Sequence, residues 1–186
     1  MATAIVGAVV DAIEAIRTRR SIRDYQQRPV ERKLVEDVIE DAAHAPPPFS
    51  GQMPWTFTVI EGVDRIAVLG ARAMAYAREL NPAGGTWAHR PESKAFWNAP
   101  VVVIISGRVE DCCRAGQNLM LSAHARGLGT CWVGSPMPWL QQQDVKAELG
   151  IPNGVSPVSV FCLGYPNSIP DPPTRARPTI TWTSST

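Results

Sequence analysis

A dense group of cationic and hydroxyl side chains lies near the beginning of the sequence. Arginines occupy positions 17, 19, 20 and 23, and a serine stands among them at position 21. A guanidinium group binds phosphate through a planar fork of N–H donors, and a serine hydroxyl adds a further donor. Arg19, Arg20, Ser21 and Arg23 are therefore candidate ligands of a phosphate ester. The alternative is a solvated basic helix end that complements the helix dipole.

A second pair of arginines lies near the other end, in the run Thr174-Arg175-Ala176-Arg177-Pro178. Residues two apart in an extended chain point in the same direction. Arg175 and Arg177 could therefore face one anion together. A charged tail that only faces solvent is the alternative explanation.

A glycine-rich run, Gly127-Leu128-Gly129-Thr130-Cys131-Trp132-Val133-Gly134, follows a predicted helix and includes a predicted strand. Glycines let a backbone approach a flat ligand closely, and the free N–H groups of such a turn can face ligand acceptors. The run is not the G-x-G-x-x-G fingerprint of dinucleotide-binding folds, and no P-loop is present. A helix stop followed by a strand explains the run equally well, with Gly127 and Gly129 as left-handed stops.

Apolar periodicity predicts the elements that must position these groups, in the order α-α-β-α-loop-β-α-β-α-β followed by a proline-rich tail from Tyr165. Helices are predicted over 5–18, 30–44, 63–80, 111–126 and 140–149. Strands are predicted over 55–60, 99–105, 131–134 and 155–164, and a loop with a short helix over 81–98. We expect one mixed α/β domain around a central sheet, with the tail either disordered or laid across another surface.

Composition excludes several classes of protein. The chain has 186 residues, a net charge of +1 and 45% hydrophobic residues. That balance disfavours a basic nucleic-acid binder and a polybasic membrane protein, and it excludes a disordered chain. No apolar run reaches the roughly 18 residues that span a bilayer, and the N-terminus lacks the positive region of a signal peptide.

The four cysteines, Cys112, Cys113, Cys131 and Cys162, include no C-x-x-C pair. This spacing predicts reduced thiols and no metal site. Together with the missing signal peptide, it leads us to expect a cytoplasmic protein.

Several runs taken in order resemble the nitroreductase family. Arg19-Arg20-Ser21-Ile22-Arg23-Asp24-Tyr25 is similar to the family's opening R-R-S-x-R motif followed by an aromatic residue. Similar blocks follow along almost the whole chain: Ala42-Ala43-His44-Ala45-Pro46, Pro54-Trp55-Thr56-Phe57, Ala99-Pro100-Val101-Val102-Val103-Ile104, the segment 117–134 and Leu163-Gly164-Tyr165-Pro166 with the tail arginines.

The resemblance implies an α+β, three-layer fold over residues 1–186: a central, mostly antiparallel mixed sheet flanked by helices, with an extended C-terminal tail. It also implies FMN bound at the interface of a homodimer with shared active sites, where the tail 165–186 extends over the partner subunit. By matching position, three groups of residues would bind the flavin. These are Arg19, Arg20, Ser21 and Arg23 on one side, Arg175 and Arg177 from the tail, and the backbone at Val133, Gly134 and Ser135 near N5.

Ser50, Gly51 and Gln52 would contribute flavin contacts from the partner chain. The sequence departs from the family pattern here, because Met53 stands where glutamine usually precedes Pro-Trp. Gln52 or Ser50 would then supply the amide or hydroxyl contact to the flavin ring.

The implied chemistry is ping-pong hydride transfer from NAD(P)H through flavin N5 to a nitroaromatic, a quinone or a similar electrophile. It needs no catalytic side chain. His44 and His124 are interpreted as core or rim residues, and Trp87 and Trp97 as packing residues or as substrate-stacking ones. Two alternatives remain: a flavin enzyme of the same fold with dehydrogenase, dehalogenase or flavin-fragmenting chemistry, and a non-catalytic binder of a phosphorylated ligand.

Overall fold

The computed structural model describes residues 11–47 and 54–184. Its helices are α1 (Ala12–Thr18), α2 (Arg32–Ala43), α3 (Val63–Glu79), α4 (Val109–Ala125), α5 (Met137–Leu140) and α6 (Gln143–Glu148), with a 3₁₀ turn at Trp87–His89. Its strands are β1 (Trp55–Glu61), β2 (Val101–Gly107), β3 (Gly129–Trp132) and β4 (Pro157–Gly164).

The four strands form one sheet in the order β1-β2-β4-β3, and each neighbouring pair is antiparallel. Val103 of β2 lies between Val59 of β1 and Phe161 of β4. The apolar run of β2 is buried along its first six residues, as expected for a central strand covered on both faces.

Helices cover both faces of the sheet. On one face α2 and α4 pack on the sheet through residues such as Val38, Leu119 and Phe161. On the other face α3 and α5 pack through residues such as Ile66 and Trp139. The predicted three-layer α+β architecture is confirmed.

Three predicted elements are wrong in detail. The helix predicted over 5–18 begins at Ala12, because Asp11 caps it with an extended backbone, and residues 5–10 lie outside the described residues. Of the helix predicted over 140–149 only α6 is helical throughout, because α5 ends at Leu140 and Gln142 adopts an extended backbone between the two (φ −65°, ψ 137°). The strand predicted over 131–134 begins at Gly129 and ends at Trp132, and the chain then turns toward α5.

The tail has neither helix nor strand from Asn167 to Ser184, and every residue of that stretch is exposed. It leaves large apolar side chains uncovered, including Trp182 with 87% of its surface exposed. Within the described parts of the chain, none of the helices has the length and apolarity needed to cross a bilayer.

Candidate functional site

The first basic cluster is fixed to the free edge of strand β3. The Ile22 N–H donates to the Thr130 carbonyl at 2.9 Å, and Ser21 forms a parallel bridge with Thr130. Further on, Tyr25 bridges Pro166, and the Gln26 N–H donates to the Tyr165 carbonyl at 2.9 Å. The cluster is therefore held between β3 and the beginning of the tail.

Gly129 is what allows this close approach. A Cβ at Gly129 would lie 2.5 Å from Cγ1 of Ile22, which is too close for two carbon atoms. The prediction that Gly129 is a left-handed helix stop is wrong, because it is the first residue of β3 and has no positive φ. Gly127 does have the predicted conformation, with φ +76°.

The arginines of the cluster divide into two roles. The Nη1 of Arg20 donates to the carbonyls of Arg17 and Arg19, each at 2.9 Å, and so covers the C-terminal end of α1. Arg19 and Arg23 lie close to Cys131 of β3. Burial raises the pKa of the Cys131 thiol, and the charges of Arg23 and Arg19 oppose that increase. Arg19 and Arg23 are therefore within electrostatic range of β3, and two residues four apart in an extended chain lie on the same side of it.

Arg175 comes from the far end of the chain to the neighbourhood of Arg19. Burial lowers the pKa of Arg19, and the positive charges of Arg175 and Arg20 lower it further. Within residues 11–47 and 54–184, no carboxylate forms an ion pair with Arg19, Arg20 or Arg175. The positive charges of Arg20 and Arg175 thus act on Arg19 without a counter-ion from the described chain. Arg177 is an exposed tail residue, and no ion pair within the described chain includes it.

The segment after β3 leaves open space at Gly134. The Val133 N–H donates to the Val160 carbonyl at 2.9 Å, and the Gly134 carbonyl accepts from the Met137 N–H at 3.1 Å. Val133 is buried, Ser135 is half-buried and Gly134 is exposed. A Cβ at Gly134 would meet nothing within 4 Å, and its φ lies outside the left-handed region. Nothing in the described chain requires glycine here, whereas a flat ligand lying against this backbone would.

Arg23 also contacts Trp97. Its guanidinium carbon lies 5.7 Å from the centroid of the Trp97 ring. Trp97 and Asn98 both have φ 52°, an uncommon backbone for a bulky residue. Sequence reasoning left Trp97 open between packing and stacking, and it did not foresee the contact with Arg23.

A small cavity adjoins the first cluster on its other side. It has a volume of about 110 Å³, and its lining includes Arg19, Arg20, His124 and Thr130. His124 and Thr130 were not among the predicted site residues, because only the folded chain brings α4 beside the end of α1. Two larger cavities of about 300 and 290 Å³ lie beside α2 and β1 and beside α3 and α5, and no residue of either basic cluster lines them.

Ser50, Gly51 and Gln52 lie outside the described residues. Among the described residues, no group of three or more His, Cys, Asp or Glu side chains is arranged to hold a metal ion.

The sequence is similar to a known protein family and to one of its named relatives. The model of the nitroreductase family matches residues 16–165. A Methanothermobacter thermautotrophicus protein, provisionally named an NADH dehydrogenase/NAD(P)H nitroreductase, is 33% identical over 162 residues. The alignment covers 87% of this chain and 80% of that protein.

Two solved structures have the same fold. A nitroreductase with bound FMN from Bacteroides fragilis superposes with a TM-score of 0.80 at 23% identity, over 94% of this chain and 99% of that one. A nitroreductase with bound FMN from Desulfitobacterium hafniense gives 0.82 at 20% identity, over 93% and 98%.

Proposed function

This chain belongs to the nitroreductase family, and we propose that it is an FMN-dependent oxidoreductase that takes hydride from NAD(P)H and passes it to a small electrophile. The acceptor is a nitroaromatic, a quinone or a compound of similar reactivity, and donor and acceptor react in turn in a ping-pong cycle. The name of the archaeal relative supports the nicotinamide donor. FMN in the two structures of the same fold supports the cofactor.

The observation that carries this proposal is that Arg175 lies within electrostatic range of Arg19 and that neither has a carboxylate partner in the described chain. Like charges repel, so bringing two guanidinium groups together is unfavourable unless an anion joins them. A phosphate monoester carries about 1.5 to 2 negative charges at neutral pH and accepts hydrogen bonds from planar guanidinium donors. Arg19, Arg175 and the hydroxyl of Ser21 have the chemistry to hold such a group, with Arg20 and Arg177 adding charge nearby.

The remaining residues suit the ring of the cofactor. The open space at Gly134, between Val133 and Ser135, gives a flat ring system room to lie against the chain. Arg23, held over Trp97, offers a cation to the polar edge of that ring. Bound FMN supplies the hydride chemistry, and the chain supplies binding, orientation and charge. No described side chain needs to act as a general acid or base.

We also propose a homodimer in which the tail 165–186 extends over the partner subunit and Ser50, Gly51 and Gln52 reach the partner's flavin. The tail supports this arrangement, because Ile169, Ile180 and Trp182 leave apolar surface uncovered along a single segment. We expect the enzyme to act in the cytoplasm, where its four free thiols would stay reduced.

The visible spectrum of the purified protein and an anaerobic titration with NADH and NADPH test the proposal together. We expect the bands of oxidised flavin, bleaching with at least one nicotinamide, and recovery of the bands when nitrobenzene or a quinone is added. A colourless protein whose melting temperature does not respond to FMN would contradict the cofactor. Bound FMN that neither nicotinamide reduces would contradict the donor.

A further inference from the structure

We propose that His124 and Thr130 complete the phosphate-binding pocket, with His124 acting as a proton-dependent ligand of the ester. The inference rests on the proposed function, because it concerns the phosphate end of the same cofactor. It adds two residues to the site that the sequence pattern did not indicate.

The cavity beside the first cluster has the size and lining of an anion site. Arg19, Arg20, His124 and Thr130 line a volume of about 110 Å³. A cavity of this volume has room for a small tetrahedral anion. Its remaining lining is the loop 127–129 together with the apolar residues Ile22, Pro166 and Ile169.

Thr130 lines this cavity and carries a buried hydroxyl. The residue is buried, with 2% of its surface exposed, and its Oγ1 has no hydrogen-bond partner within the described chain. A buried hydroxyl without a partner is unfavourable, because it has lost its hydrogen bonds to water and gained none in return. The Oγ1 atom itself is closed to solvent, so a rotation of the Thr130 side chain toward the cavity would let an anion there accept this hydrogen bond.

The hydrogen-bond pattern assigns the tautomer of His124. The Thr18 hydroxyl donates to the Glu14 carbonyl at 2.7 Å, so its one proton is used. The Nε2 of His124 lies 2.8 Å from that same oxygen and must therefore be the donor. The neutral ring then carries a lone pair on Nδ1. Protonation converts Nδ1 into a second donor.

The charges around His124 give the direction of the pH effect. Burial lowers its pKa, Arg19 and Arg20 lower it further, and Glu14 of α1 opposes them. The tail places the apolar residues Pro166 and Ile169 at the cavity, and its Arg175 acts on Arg19. Without an anion, His124 is therefore neutral near neutral pH. A bound dianion makes the electrostatic potential at His124 negative and so raises the pKa of the ring. Binding of the dianion therefore takes up a proton, and the contribution of His124 to binding strengthens as the pH falls.

The test is the ratio of FMN dissociation constants between His124→Gln and the wild type as a function of pH. Using the ratio cancels the titration of the phosphate itself. We expect His124→Gln to bind about tenfold more weakly near pH 6, from loss of one charge-assisted hydrogen bond. The ratio should fall to about one near pH 8.5, where the ring of His124 is neutral in both states.

His89→Gln is the matched control. The Nδ1 of His89 also lies 2.8 Å from a threonine hydroxyl, that of Thr86, but His89 is exposed and does not line the cavity. Its ratio should stay near one at every pH. Thr130→Val should weaken FMN binding several-fold without a pH trend. Neither His124→Gln nor Thr130→Val should change the binding of riboflavin, which lacks the phosphate.

A ratio near one at all pH values, in protein that binds FMN, would overturn the inference and leave the proposed function standing. If neither the wild type nor any variant binds FMN, both the role of His124 and the proposed function are rejected. If His124→Gln does not fold, the NMR titration of His124 in the wild type decides. Its pKa should rise when inorganic phosphate or FMN is added, and an unchanged pKa would overturn the inference.

Discussion

At the scale of single residues, phosphate binding depends on two arginines that are distant in sequence and neighbours in the fold. Arg19 is partly buried within electrostatic range of Arg175, and neither has a carboxylate partner in the described chain. Their mutual repulsion is a cost of the ligand-free state that an anion removes. Binding of a phosphate ester should therefore depend on both, whereas folding should not.

Replacing either arginine with glutamine should weaken FMN binding about ten- to hundredfold, because each substitution removes a hydrogen bond to a charged group. The melting temperature of the ligand-free protein should stay the same or rise slightly, since the repulsion is relieved. Fluorescence titration and a thermal melt measure the two quantities. Arg90→Gln changes an exposed arginine outside both clusters and is the control. Equal FMN affinity in Arg19→Gln and Arg90→Gln would contradict the role of Arg19.

The sequence already indicated the basic residues, because arginine, serine and their spacing are visible without a structure. It did not distinguish Arg20, whose guanidinium donates to carbonyls at the end of α1, from Arg19, which lies beside Arg175. That distinction depends on where α1 stops. His124 stayed ambiguous for a similar reason, because an alanine-rich helix does not reveal which neighbour its histidine meets.

At the scale of elements, two glycines of one motif have opposite roles. Gly129 lets the segment of Ser21 and Ile22 run beside β3, and Gly134 leaves open space beside the candidate ring site. The motif as a whole was predicted to matter, but sequence alone assigned Gly129 to a helix stop. The correct role needs the register of Ile22 against Thr130.

Gly129→Ala should destabilise the ligand-free protein by about 1 to 3 kcal/mol, because the new methyl group would overlap Ile22. Gly134→Ala should change the free energy of unfolding by less than about 0.5 kcal/mol and yet weaken FMN binding. Urea denaturation of the two ligand-free variants, followed by FMN titration, measures both effects. A Gly134→Ala variant that binds FMN as the wild type does would exclude contact between flavin and this backbone.

Long periodic elements were predictable, and short irregular ones were not. α3 and α4 lie within two residues of their predicted bounds because each has several turns of consistent apolar spacing. The prediction of one helix over 140–149 missed the break at Gln142, because no glycine or proline in the sequence marks this extended residue. The order of the blocks was enough to predict the family and the three-layer fold.

At the scale of the whole molecule, the tail joins the cofactor site to the proposed dimer. Residues 167–184 are exposed and contribute little to the core of their own subunit. Arg175 nevertheless lies beside Arg19. Removing the tail should therefore abolish FMN binding and leave the subunit folded.

Deletion of residues 171–186 should leave the melting temperature of the ligand-free protein within a few degrees of the full chain, since no core residue is lost. FMN binding should be lost with Arg175 and Arg177, and sedimentation velocity should show a weaker dimer. A chain carrying only Arg175→Gln and Arg177→Gln is the matched control, because it should lose FMN binding but keep the dimer. A truncated chain that still dimerises as the full chain does would contradict the tail's role in assembly.

The most direct test of the phosphate site compares the affinities of ligand-free protein for FMN and for riboflavin, which differ only in the phosphate. We expect FMN to bind at least about a hundredfold more tightly, corresponding to about 2.7 kcal/mol held by the basic cluster. Equal affinities would contradict the convergence of Arg19 and Arg175 on a phosphate ester.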